Sequence, residues 1–134
     1  MPIYVGGRDD SLRVLGAGPG EGDPASKVLR LLSPSVAQKQ AYFFTENGLT
    51  VSRLRAAIKG AAPSVTWTLR FASTLDAVGT EVITGGTTTN DTTNGSDDIL
   101  FTNAAIPANS FVWLDVTAVG GTVAELSVTV IPVS

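Results

Sequence analysis

The sequence predicts an all-β protein: an antiparallel β-sandwich of about eight strands, jelly-roll-like, with an extended N-terminal arm. Three observations predict it. Apolar residues recur at every second position through Val65, Trp67, Leu69 and Phe71, through Val112, Leu114, Val116 and Ala118, and through Ala124, Leu126, Val128 and Val130. A period of two marks strands with one buried face. The spacers between such runs are rich in Gly, Thr, Asn and Asp, which form turns. The runs number about eight, as in a jelly-roll double sheet. Seven strands in an immunoglobulin-like order is the alternative, and the sequence leaves the strand order open.

Two regions follow from the punctuation of the chain. Residues 1–26 form a Gly/Pro-rich N-terminal arm, and residues 27–134 form the sandwich domain. The arm holds Gly16, Gly18, Pro19, Gly20, Gly22 and Pro24, a composition that supports neither a helix nor a central strand. Two apolar islands precede that stretch: Ile3, Tyr4 and Val5, then Leu12, Val14 and Leu15. A solvated tail has little use for such residues, so the arm is expected to order against a partner.

The strands are expected in the following order. Lys27–Leu32 is an apolar run limited by Pro34. Gln38–Thr45 is the second, closed by the turn signal Asn47-Gly48. Thr50–Ile58 alternates, with Leu54, Ala56 and Ile58 on one face and Val51, Arg53 and Arg55 on the other; Gly60 and Pro63 then end it. Val65–Phe71 is the clearest strand. Glu81–Thr84 is short, and Gly85–Asp97 reads as a polar loop. Ile99–Thr102 is another short strand, followed by a turn at Ile106–Asn109. Ser110–Val119 and Val123–Ile131 read as a hairpin about Gly120-Gly121.

Composition excludes several function classes. There is neither Cys nor His among the 134 residues. The commonest general base, the commonest zinc ligands and any disulfide are thereby removed. The net charge of -3 is far from the basic patch of a nucleic-acid binder. No apolar run approaches the roughly 18 residues of a membrane span, and MPIYVGGRDD lacks the form of a signal peptide. We therefore expect a soluble protein made in the cytoplasm, with no nucleic-acid or membrane partner. Charged residues make up only 16% of the chain against 43% hydrophobic, a surface suited to being covered by neighbours.

No assembled catalytic set is visible, and no cofactor or metal is expected. Asp91, Asp97 and Asp98 lie in the polar loop, but their spacing fits no EF-hand. Asp76, Glu81, Asp115 and Glu125 are the candidates for a glycosidase-like carboxylate pair, and carboxylates are ordinary on a solvated sheet face. Neither a GxSxG elbow nor a P-loop is present. Arg53, Arg55 and Lys59 form a small basic stripe, which suits either a rim of internal salt bridges or the acidic residues of a neighbouring subunit. Phe111 and Trp113 lie on one face of a strand whose other face carries Val112 and Leu114. One face is the core, so the second needs its own cover, and a subunit interface is expected there.

The segments SVTWTLRFASTLDAVGTEVITGGTTTN and FTNAAIPANSFVWLDVTAVGGTVAELSVTV resemble a β-sandwich module of tailed-bacteriophage structural proteins. The pieces that carry the resemblance are Thr68-Leu69-Arg70, Gly79-Thr80-Glu81-Val82, Gly85-Gly86-Thr87-Thr88 and the run from Ile106 to Leu114. It spans roughly residues 41–131 and leaves out the arm. The module is found in head-associated proteins and at the ends of tail or fibre proteins, and it brings no catalytic residues. The resemblance implies a non-enzymatic virion protein. We expect a capsid decoration or cement protein on the outer surface of the head, bound to the major capsid protein and to itself as a homotrimer. The expected contact residues are Ile3, Tyr4, Val5, Leu12, Val14, Leu15, Arg53, Arg55, Phe111 and Trp113. A short chain starting at Met1 favours a stand-alone protein over a fibre tip. The rival expectation is a receptor- or glycan-binding module of a tail fibre or baseplate, for which an exposed Trp67 or Tyr42 would speak.

Overall fold

The computed structural model describes residues 25–36 and 39–133. All regular structure among them is β. The strands are β1 (Lys27–Leu32), β2 (Tyr42–Thr45), β3 (Leu49–Ala72), β4 (Thr80–Glu81), β5 (Thr87–Thr89), β6 (Ser96–Asp98), β7 (Ala105–Ile106) and β8 (Ser110–Pro132). Every pairing is antiparallel, and the strands join in one open sheet. The arm's residues 1–24, with Ile3, Tyr4, Val5, Leu12, Val14 and Leu15, lie outside the described residues.

Two long strands organise the sheet. β3 pairs with β8 from Val51↔Pro132 to Ala72↔Phe111. The far edge of β8 takes β1 against Glu125–Val130 and β2 against Ser110–Trp113. The far edge of β3 takes β6 at Leu54–Ala56, β5 at Val65–Trp67 and β4 at Arg70–Phe71. β7 pairs with the start of β3.

The alternation read from the sequence sets the buried face. Val65, Trp67, Leu69 and Phe71 are buried, as are Val112, Leu114 and Val116. So are Leu54, Ala56 and Ile58, opposite Leu126, Val128 and Val130. Both halves of the long ladder, with Leu29 and Leu31 of β1, contribute to one cluster of buried residues. Each large side chain fully buried there contributes roughly 1.5–3 kcal/mol.

Several expected boundaries are corrected. There is no hairpin at Gly120-Gly121: β8 runs straight through it. Thr50–Ile58 and Val65–Phe71 are likewise parts of one strand, β3, despite Gly60 and Pro63. The reason is mutual. The irregularities of β3 between Lys59 and Ser64 lie opposite Gly120–Glu125, so both strands deviate at the same level and the ladder resumes. Gly121 has φ +66, and a Cβ there would run into the carbonyl of Ala62, so only glycine lets the strands approach this closely. A further irregularity between Val51 and Arg53 turns Val51 inward, against the expectation that it shares a face with the arginines.

The short strands also differ. β2 begins at Tyr42, and Gln38 lies outside the described residues. The expected strand at Glu81–Thr84 is β4, Thr80–Glu81. The polar loop contains β5 and β6, held by partners that a purely solvated loop would lack. Trp67 donates its indole N–H to Thr89 Oγ1 at 3.0 Å, and Thr89 shares a 2.7 Å hydrogen bond with Ser96 Oγ. Ile99–Thr102 is not a strand; the amides of Thr102 and Asn103 both donate to the carbonyl of Val82.

Candidate functional site

The candidate site is a surface of exposed apolar side chains. Its centre is aromatic. The sequence YFFT in β2 alternates, sending Phe43 toward the core and Tyr42 and Phe44 outward. The register places Phe44 opposite Phe111 of β8. Phe44 and Phe111 meet edge to face with ring centroids 4.9 Å apart, and Tyr42 stands 6.4 Å from Phe111 in the same manner. Such pairs are worth about 0.5–1.5 kcal/mol beyond their buried area. Tyr42 is 52% and Phe44 47% exposed, while Phe111 is half-buried. Exposed apolar clusters are where interaction surfaces are sought, which makes these rings the candidate site.

Trp113, expected at a subunit interface, does not share that exposure. It is 1% exposed. Its own chain covers it. Gly79 lies against the ring, and the Lys39 ammonium sits 4.3 Å from the ring centroid. Lys39 also donates to the carbonyls of Leu75 at 2.5 Å and Ala77 at 2.8 Å, which ties this loop down over the indole. The second apolar face of β8 is thus closed at Trp113 and open at Phe111.

Beside Trp113 lies the most compact group of charges. Arg70 Nε donates to Asp115 Oδ2 at 2.6 Å, and its Nη2 lies 3.6 Å from Glu81 Oε2. Its Nη1 donates to the carbonyl of Gly79 at 3.2 Å. All three side chains are about one-fifth exposed. Two of the candidate carboxylates therefore converge on one guanidinium that neutralises them, an arrangement that braces β3, β4 and β8. Of the other two, Glu125 lies on the other half of the ladder, opposite Lys59, and Asp76 lies exposed in the turn after β3.

The basic stripe is engaged within the chain. Arg53 pairs with Asp97 at 3.5 Å, and Arg55 donates to the carbonyl of Asn94 at 2.6 Å. Lys59 and Arg30 share Glu125, at 3.5 and 2.7 Å. These pairs lie on the solvent side of the sheet and act as the rim of salt bridges. Asp91 serves a turn: its Oδ1 accepts from the amides of Thr93 at 2.8 Å and Asn94 at 3.0 Å. Those backbone donors, Asn94 first and then Thr93, hold its carboxyl below the ordinary value. Among the described residues, no group of three or more His, Cys, Asp or Glu could hold a metal ion. Asp98 Oδ1 accepts from Thr87 Oγ1 at 3.2 Å, while its Oδ2 is buried without a partner among the described residues.

The sequence pointed to Phe111 and, for the glycan-binding rival, to Tyr42, but not to Phe44. The signal was present: four residues of strict alternation at a sheet edge leave two rings outside. Other large apolar side chains are also exposed: Val28 and Leu32 on β1, and Ile99 and Leu100 on the loop after β6. Leu100 reaches 84% exposure. Comparison with family models, with curated proteins and with solved structures gave no match.

Proposed function

We propose that this chain is a non-enzymatic structural protein of a tailed-bacteriophage virion, a decoration or cement protein on the outside of the head. It binds the major capsid protein and associates with itself as a homotrimer. In this reading the sheet folds over its common core as a jelly-roll-like sandwich. One observation carries the proposal: large apolar side chains are exposed on separate parts of the described chain, at Val28 and Leu32 of β1, at Tyr42 and Phe44 of β2, and at Ile99 and Leu100 of the loop after β6. A protein with neighbours on several sides has use for such a surface. The resemblance of residues 41–131 to the phage module supplies the setting. Contacts of roughly 1,200–2,000 Å² per interface would clamp adjacent shell subunits, and repetition over a lattice adds avidity.

The test is binding of the purified chain to shells that lack it. The reading expects saturable co-sedimentation with shells, weakened by Ile99→Asp with Leu100→Asp while the strand signature in circular dichroism persists. Shells that take up none of the wild-type chain would refute it.

A second reading is favoured by Tyr42 and Phe44 specifically. Exposed rings on a sheet edge can stack on sugar faces, which suits a receptor- or glycan-binding module of a tail fibre or baseplate. The other ring named for that reading, Trp67, is fully buried. Binding of host polysaccharide that is lost in Tyr42→Ala and Phe44→Ala would support this second reading over the first.

A further inference from the structure

We propose that β1 is a self-docking edge: two copies of this chain join through their β1 strands, antiparallel about a two-fold axis at Arg30, into one sheet that runs through both molecules.

Three observations meet here. First, the edge has backbone groups to offer. β1 pairs with β8 on one side, in a register without a shift, and no described strand pairs with its other side. The amide of Ser33, just after β1, donates to the carbonyl of Ala124 on β8 at 3.0 Å. The trans peptide bond then turns the carbonyl of Leu32 away from β8. By the alternation of a strand, the N–H and C=O groups of Val28, Arg30 and Leu32 face the open edge. Second, that edge is apolar on both faces. Leu29 and Leu31 are buried in the core, while Val28 is 60% and Leu32 67% exposed on the outer face. A regular apolar edge strand is a template for another strand. Third, β1 is complementary to itself. With the axis at Arg30, Val28 lies opposite Leu32 of the second copy, and Leu32 opposite its Val28. Leu29 and Leu31 meet in the same way on the core side. The outward backbone groups then meet in three pairs, each exchanging two hydrogen bonds. Moving the axis to Leu29 or Leu31 sets Arg30 against an exposed apolar residue and leaves the other without a match. Like charges directly opposite weaken a strand pair. Each Arg30, however, donates from Nε to Glu125 Oε2 of its own chain at 2.7 Å, which draws it back over its own β8.

The other occupant of such an edge is a strand of a separate partner. Self-complementarity favours a second copy, because a two-fold contact uses one patch twice. The contact concerns the free protein and is distinct from the three-fold association proposed above. Its failure leaves that association and the shell-binding experiment untouched, and the reverse also holds.

The chain has no Cys, so single engineered ones in the full chain report the register. Val28, Arg30 and Leu32 are all exposed, so each replacement should keep the fold, as circular dichroism can check. Opposite residues of a hydrogen-bonded pair stand about 5.5 Å apart between Cα atoms, within reach of a disulfide. Under mild oxidation Arg30→Cys should give a covalent dimer. Val28→Cys alone and Leu32→Cys alone should not, since the two copies of either residue lie about 13 Å apart along the strands. An equimolar mixture of Val28→Cys and Leu32→Cys should again give the dimer. Thr92→Cys, exposed in the turn before β6, sets the rate of chance collision. An Arg30→Cys dimer that forms no faster than the Thr92→Cys dimer overturns the proposal. So does a Val28→Cys or Leu32→Cys dimer that forms alone as fast as the Arg30→Cys dimer, or a mixture that yields none. As a check without oxidation, Leu32→Lys should lower the self-association seen by sedimentation, and unchanged association would overturn the proposal as well.

Discussion

Gly79 lies flat against the indole of Trp113: a Cβ at Gly79 would stand 2.7 Å from Cζ2 and 2.8 Å from Cη2 of the ring. Its φ of +84 is a conformation that side chains rarely adopt. Gly79→Ala therefore meets a backbone penalty and a clash together. It should cost about 2 kcal/mol or more, read as a lower urea midpoint at unchanged slope. A midpoint equal to wild type would mean that the 75–79 loop does not rest on Trp113.

Trp113, buried, and Phe44, exposed beside Phe111 on the same face of the sheet, should part company on substitution. Trp113→Asp removes a buried indole and leaves a charge in its place. The truncation alone costs about 3–5 kcal/mol, so loss of the strand signature in circular dichroism is expected. Phe44→Asp acts on a half-exposed ring and should keep the fold while lowering the self-association seen by sedimentation. A folded Trp113→Asp protein would show that the cover over the indole contributes little.

Arg70 holds Asp115 and Glu81 together, so its removal leaves two carboxylates facing each other. Arg70→Met should cost about 1–3 kcal/mol, discounted because the group is one-fifth exposed. Arg70→Lys should recover only part of this, since a lysine cannot reproduce the fork that reaches Asp115, Glu81 and Gly79 at once. The check is thermal unfolding of the three proteins side by side, and full recovery by lysine would contradict the geometry.

Asp91 gives a pH signature. Its folded-state carboxyl titrates below the unfolded value, so the turn's stabilisation is present above the unfolded value, 3.8, and fades as pH falls through the folded one. Protection of the Thr93 and Asn94 amides, taken relative to their intrinsic exchange rates, should therefore be lost only at acid pH, and Asp91→Ala should lack it at neutral pH too. Protection of these amides that is insensitive to acid would argue against the turn.

Much of the fold was legible because burial has a period. β1 is bounded as read, and Leu54, Trp67, Leu114 and Leu126 face the core as their alternation required. The continuity of β3 and β8 was not legible. Gly60, Pro63, Gly120 and Gly121 each signal a break, and only the pairing reveals that the breaks lie opposite one another. β5 and β6 were hidden for a related reason: Thr89 and Ser96 look like solvated loop residues until Trp67 is seen to need their hydroxyls. Of the candidate surface, Phe111 was legible from a doubly apolar strand. The cover over Trp113 was not, because Lys39 and Gly79 are far from it in sequence and carry no apolar signal.

Under the proposed function, many repeated contacts of this protein would hold a shell together. A ligand that binds only the intact lattice stabilises it by mass action. The most direct measurement is heat-driven release of DNA from phage particles with and without the protein, alongside their rate of adsorption to host cells. The account predicts release at a lower temperature without the protein and an unchanged adsorption rate. Unchanged release with impaired adsorption would contradict it and favour the glycan-binding reading.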